Sequence, residues 1–188
     1  VKIASVAGPS FTMEILSAIY PTVIGDGELS EQLSQLVGTG RFLAAITEPV
    51  LTPQVLPSAL FVVAAIISFA MGSAWGTFAI LIPIGMPLAS SLGLPPSLVL
   101  SAILGGGVFG DHCSPISDTT ILSSLASGCE HIEHVRTQLP YALLVGIAAL
   151  VLGTIPGGFG LSPWISIVAG LVVLATLLGV FGREAKVA

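Results

Sequence analysis

Two stretches without a single Asp, Glu, Lys or Arg, residues 49–110 and 137–182, decide what this chain can fold into. The chain is 54% hydrophobic and 8% charged, against roughly 25% charge in ordinary soluble domains. Such a chain belongs in a bilayer. There every backbone polar group must be satisfied internally, which leaves helices or closed barrels. The apolar runs have helical lengths and lack the alternation of barrel strands. The expected fold class is therefore all-α, a polytopic membrane protein without β-sheet. A net charge of −5 argues against nucleic acid as a partner, because that binding rests on clustered Lys and Arg.

The chain divides at about residue 50. Residues 1–50 are weakly apolar and amphipathic: Pro9, Glu14 and Pro21 interrupt the first part, and Gly25-Asp26-Gly27-Glu28 makes a turn. From Leu29, apolar residues at 33, 36, 37, 43 and 46 share one helical face, and Arg41 lies near its end. Residues 51–188 form the transmembrane part. After Pro53 and Pro57, two apolar runs of about 14 residues flank Gly72-Ser-Ala-Trp-Gly-Thr77. Each run is roughly 21 Å long as helix, short of the ~30 Å hydrocarbon core. This predicts a re-entrant helical hairpin over residues 58–92 with a polar tip at 72–77. Residues 97–128 read as one discontinuous transmembrane helix. It is broken at Ser114-Pro115, since proline lacks an N–H and disfavours helix before it, and it ends at Gly128. A charged loop, 129–138, and spans at 139–155 and 164–181 complete the pattern. Arg136 precedes the first of these spans, and Arg183 and Lys186 follow the second. The positive-inside rule makes that side, and the C-terminus, cytoplasmic.

Ionisable groups at bilayer depth are costly and mark sites by default. Here they concentrate in Phe109-Gly-Asp-His-Cys-Ser-Pro-Ile-Ser-Asp-Thr-Thr-Ile-Leu-Ser-Ser124. That string resembles the signature of the NhaC-type Na⁺/H⁺ antiporters. Gly72-Ser-Ala-Trp-Gly-Thr77, Ile80-Leu-Ile-Pro83 and His134-Val-Arg-Thr-Gln-Leu-Pro-Tyr141 agree with it, and the likeness runs from about residue 37 to 156. The resemblance implies a multi-pass protein of a prokaryotic inner membrane. It also implies a hairpin-plus-broken-helix half-repeat of the ion-transporter superfamily. Relatives of this type exchange Na⁺ for H⁺, or carry organic acids or amino acids. Beside them the chain is short and starts at Val1, so it is expected to be the C-terminal portion of a longer transporter. Its partners would then be the bilayer, the missing N-terminal half, and small ions or a small organic substrate. A homodimer is also compatible.

Na⁺ is a hard cation that prefers carboxylate, hydroxyl and carbonyl oxygens. The expected ligands are Asp111, Ser114, Ser117, Asp118, Thr119 and Thr120, with Ser73 and Thr77 from the hairpin tip and carbonyls freed at the break. Asp111 and Asp118 would couple to protons, since a carboxylate can hold either H⁺ or a share of Na⁺. Asp118 suits a helix N-cap equally well. His112 either tunes Asp111 or only hydrogen-bonds across helices. Cys113 and Cys129 read as buried thiols, with no disulfide framework. Glu130, His131, Glu133 and His134 fit no closed zinc pattern, so no metal other than Na⁺ and no cofactor is expected. HExxH and GxSxG are absent, which argues against a hydrolase. The expected function is secondary active exchange of Na⁺ for H⁺ at the broken helix, residues 110–120. Two alternatives stand beside it: Na⁺- or H⁺-coupled exchange of small organic acids or amino acids, and a structural or accessory subunit without its own site.

Overall fold

The computed structural model describes residues 52–181, all of whose regular structure is helical. The expectations for residues 1–50, including the amphipathic face from Leu29 and Arg41, lie outside the described residues. So do Arg183 and Lys186. The helices are α1 (Leu56–Met71), α2 (Ala74–Ser91), α3 (Pro96–Cys113) and α4 (Asp118–Ser127). They are followed by α5 (His131–Ala148), a π-helical turn (Ala149–Thr154), a short α6 (Ile155–Gly158) and α7 (Pro163–Phe181).

α1 stops at Gly72, which takes the left-handed conformation (φ 66°) that a side chain rarely adopts, and its N–H bonds the Ser68 carbonyl. Ser73 then starts α2. Its hydroxyl accepts the Gly76 N–H (3.5 Å), and the Thr77 hydroxyl donates to its carbonyl (3.1 Å). The expected six-residue tip is therefore a two-residue corner, because this capping folds residues 74–77 into the first turn of α2.

α3 lies against both arms of the corner. The shared core is Leu56, Leu60 and Ala64 from α1, Leu81, Leu88 and Ala89 from α2, and Val99 and Ile103 from α3. The tightest contact is made without side chains. A Cβ on Gly106 or Gly110 would collide with the Phe61 or Ala65 carbonyl of α1, and one on Gly107 would strike the Phe78 ring of α2. Gly106-Gly-Val-Phe-Gly110 is thus a small-xxx-small face that admits backbone-to-backbone packing. Across it the Ser68 hydroxyl donates to the Gly107 carbonyl (2.7 Å).

Residues 129–138 do not form the expected loop. Helix starts at His131 and runs to Gly158 as one 28-residue apolar stretch, about 42 Å long, so the charged residues occupy its first two turns. His131, the first residue of this helix, is tied to α4 and to the chain before it. Arg136 pairs with Glu133 on the same helix (3.2 Å), and both are exposed. Among the described residues, three helical stretches are long and apolar enough to cross a membrane: Ala74–Ser91, His131–Gly158 and Pro163–Val180. α1 is apolar but shorter, at 16 residues. α7 is exposed along most of its length and apolar all round, as a helix in hydrocarbon would be.

Gly106→Ala and Gly110→Ala are each expected to destabilise the detergent-purified protein by about 1–3 kcal/mol, through forced separation of α1 and α3. Gly153→Ala, with no atom within 4 Å of the added methyl, should stay within about 0.5 kcal/mol of the parent. Thermal melts followed by size-exclusion chromatography read the difference.

Candidate functional site

The α3 ladder ends with the Ser114 N–H on the Asp111 carbonyl (3.0 Å). Ser114 is extended (φ −79°, ψ 127°), as a residue before proline prefers, and Pro115 has no N–H to continue the helix. The break Ser114–Ser117 is held from outside. The Ser114 hydroxyl donates to the Phe69 carbonyl (2.8 Å), one of the carbonyls orphaned at the end of α1, and accepts the Ile116 N–H (3.3 Å). A Cβ at Gly72 would stand 2.6 Å from the Ile116 carbonyl oxygen. The α1–α2 corner and the break therefore touch directly.

Ser117 restarts the helix. It is the N-cap of α4, its hydroxyl accepting the Thr120 N–H (3.4 Å), whereas Asp118 occupies the first helical position. Asp118 is exposed, and its Oδ1 accepts the Thr119 N–H (2.8 Å). There its charge complements the N-terminal end of the helix dipole. α4 ends at Gly128 in the left-handed conformation (φ 63°), as its sequence implies.

The break gathers oxygens around one carboxylate. Asp111 is 3% exposed. Its Oδ1 lies 2.9 Å from the Ser117 hydroxyl and its Oδ2 2.8 Å from the Thr119 hydroxyl; those two hydroxyls lie 2.8 Å from each other. Among the described residues, no basic side chain pairs with Asp111. The hydrogens do not cover this ring of contacts. Two hydroxyls bring two hydrogens to three short oxygen–oxygen approaches, so an ionised Asp111 leaves one approach with lone pairs facing lone pairs. A proton on Asp111 supplies the third hydrogen, and a cation among the oxygens supplies the positive charge instead. The cluster reaches the exterior through Thr119, which is exposed.

The other expected site residues do not bond to the cluster's carboxylate. Ser73 and Thr77 spend their hydrogen bonds on the α2 cap, Ser114 on α1, and the buried Thr120 backs the Ser117 hydroxyl through its N–H. Trp75 is 76% exposed and meets Phe78 edge-on (6.0 Å). His112 points away from the cluster. Its Nδ1–H donates to the Val108 carbonyl (2.8 Å) and its own carbonyl accepts from Gln138 on α5 (3.2 Å). The ring lines a largely apolar cavity of about 400 Å³ between α1, α3 and α5, together with Phe61, Phe109, Tyr141 and Val145. Cys113 is buried and Cys129 exposed, both as free thiols. Sequence reasoning missed His131, whose Nε2 lies 2.6 Å from the Pro115 carbonyl and whose Nδ1 lies 3.1 Å from the Ser124 hydroxyl. No spacing rule connects His131 to Pro115, and only the fold of α4 and α5 brings them together.

A bundle of long, mostly apolar helices with one buried carboxylate at a helix break defines an integral membrane protein. The chain belongs to the Na⁺/H⁺ antiporter family, whose family model matches residues 31–156. It is 42% identical over 151 residues to an uncharacterized protein of Haemophilus influenzae, covering 76% of this chain and 28% of that one. It is 36% identical to the arginine/ornithine antiporter ArcD of Halobacterium salinarum, covering 57% of this chain and 22% of the relative. Against the malate-2H⁺/Na⁺-lactate antiporter of Bacillus subtilis it is 34% identical, covering 56% of this chain and 22% of the relative. The chain thus spans less than a third of the length of these relatives. No solved structure matches it.

Ser114→Ala strands the Phe69 carbonyl and is expected to cost about 1–3 kcal/mol. Asp118→Asn keeps the oxygen that accepts the Thr119 N–H and is expected to cost under about 1 kcal/mol. Denaturation of the two purified variants in detergent, followed by helical circular dichroism, checks both.

Proposed function

We propose that the protein takes part in exchange of Na⁺ for H⁺ across the cell membrane, with Asp111 as the group that holds one or the other. The observation that carries this reading is the shortage of one hydrogen in the Asp111–Ser117–Thr119 ring. A proton completes the ring. When it leaves, the two hydroxyls turn their hydrogens outward, and their lone pairs, with the carboxylate, face a hard cation of the kind that oxygen ligands suit. Loaded with H⁺ or with one Na⁺, the site is neutral. Empty and ionised, it is a buried charge that low-dielectric surroundings penalise heavily. Movement of the loaded forms is therefore favoured over movement of the empty one, which is the condition for exchange rather than leak.

On this reading α1 and α2 are the arms of a re-entrant hairpin, and α3 with α4 is one discontinuous span. The contacts between Gly72 and Ile116 and between Ser114 and Phe69 join the two at one depth, where irregular backbone is tolerated only against protein or a cavity. Ser114 and Thr120 shape the site, and Ser73 and Thr77 close its hairpin side. The exposed Asp118 draws cations toward Thr119, and the C-terminus is cytoplasmic. Because the named relatives are more than twice as long, the exchanging unit comprises this segment and the remainder of such a transporter. The cavity beside His112 and the names of two relatives favour a second reading, coupled exchange of an organic acid or amino acid.

The test is Na⁺-dependent dequenching of a pH dye in everted vesicles containing the full-length protein. Asp111→Asn is expected to abolish the response. Asp118→Asn should preserve it, with the half-saturating Na⁺ raised by no more than about fivefold, the scale of one exposed charge. Undiminished exchange in Asp111→Asn would remove the mechanism.

A further inference from the structure

The break leaves the Pro115 carbonyl without a partner from the chain's own backbone. In an unbroken helix the Pro115 carbonyl would receive the Thr119 N–H, but that N–H is taken by the Asp118 carboxylate (2.8 Å). The carbonyl is met instead by His131 Nε2 at 2.6 Å, from 16 residues further along. A carbonyl oxygen carries no hydrogen, so Nε2 must carry one and donate it.

The other ring nitrogen fixes how the ring is held. Nδ1 lies 3.1 Å from the Ser124 hydroxyl, which stands 2.8 Å from the Ile121 carbonyl. With a neutral ring, the Ser124 hydroxyl turns its hydrogen to Nδ1. With a charged ring, Nδ1–H donates to Ser124, and Ser124 donates to Ile121. Both arrangements leave the Nε2–H on Pro115 intact, so the tie does not depend on the charge of the ring. One imidazole at the first residue of α5 thus joins three pieces: the break, the second turn of α4 through the buried Ser124, and the start of α5.

We propose that His131 is a positioning residue for the Asp111 cluster. Pro115 lies two residues before Ser117, whose hydroxyl bonds Asp111 and caps α4. Rotation of the Pro115 peptide is therefore transmitted to Ser117 and then to Thr119. The Ser114 hydroxyl holds one side of the break against α1, and His131 holds the other side against α4 and α5. Without the imidazole, the Pro115 side of the break loses its tie to α4 and α5, and the oxygens around Asp111 lose their fixed spacing.

Two measurements on the full-length protein in native membranes test this, and only the first rests on the exchange reading above. The first is half-saturating Na⁺ in the vesicle assay, with maximal rate normalised to the amount of protein. His131→Leu removes both ring nitrogens and is expected to raise half-saturating Na⁺ by about three- to tenfold, the weight of one ordinary hydrogen bond, with a smaller change in maximal rate. His131→Gln, whose amide nitrogen reaches where Nε2 lies, is expected to restore a value near the parent's. The second measurement is the rate at which N-ethylmaleimide modifies Cys113, with Cys113 as the sole cysteine. Cys113 is buried one residue before the break, and His131→Leu is expected to speed its modification several-fold, whereas His131→Gln should not. Ser124→Ala, which removes only the second anchor of the ring, should fall between parent and His131→Leu in both assays, and it carries the test if His131→Leu does not accumulate. Parent-like Na⁺ dependence and labelling in His131→Leu would overturn the proposal, as would a His131→Gln variant as impaired as His131→Leu. Absence of Na⁺-driven exchange in the parent would instead refute the exchange reading and leave the labelling test of His131 standing.

Discussion

The approach of α3 to the α1 backbone through Gly106 and Gly110 fixes where everything else can stand. Because no side chain intervenes there, the last two turns of α3 run directly along α1, and the Ser68 hydroxyl reaches the Gly107 carbonyl. That register brings Ser114 beneath the open carbonyl of Phe69 and sets Gly72 against Ile116. In hydrocarbon the hydrophobic effect does not drive helices together, so close van der Waals contact and hydrogen bonds across helices carry the association. The glycines supply the first, and Ser68 and Ser114 supply the second.

Around the break several unpaired backbone groups find partners. The Phe69 carbonyl takes the Ser114 hydroxyl, the Pro115 carbonyl takes His131, the Ile116 N–H bonds Ser114, and the Thr119 and Thr120 N–H groups bond Asp118 and Ser117. These bonds tie the break to α1, α4 and α5. The Asp111 ring beside it is short of one hydrogen, and the proposed exchange rests on that mismatch. Burial sharpens it, because an uncompensated charge or lone-pair contact costs more away from water.

Much of this was legible in the sequence because bilayer constraints are severe. The uncharged stretches gave the helical class, Pro115 and the extended Ser114 gave the break, Gly128 gave the end of α4, and the placement of Asp111 among hydroxyls followed from the signature. The misses have local physical causes. Ser73 and Thr77 shorten the tip by capping α2 one residue after Gly72. Ser117 takes the cap that Asp118 was equally suited for, because its shorter side chain also reaches Asp111. The expected loop at 129–138 is helix from His131 onward, and His131 bonds Pro115 and Ser124, a contact between residues far apart in sequence that no periodicity announces. The π-helical turn at Ala149–Thr154 had no signal in its residues.

The central claim is that a proton and Na⁺ compete for the carboxylate of Asp111. The most direct measurement is the Na⁺-induced infrared difference spectrum of the purified full-length protein, with aspartate labelled by ¹³C to assign the bands. The account predicts that Na⁺ removes a protonated-carboxyl band, that the label shifts this band, and that Asp111→Asn lacks it while Asp118→Asn retains it. Na⁺ binding that leaves every carboxyl band unchanged, or a band change that survives in Asp111→Asn, would contradict it.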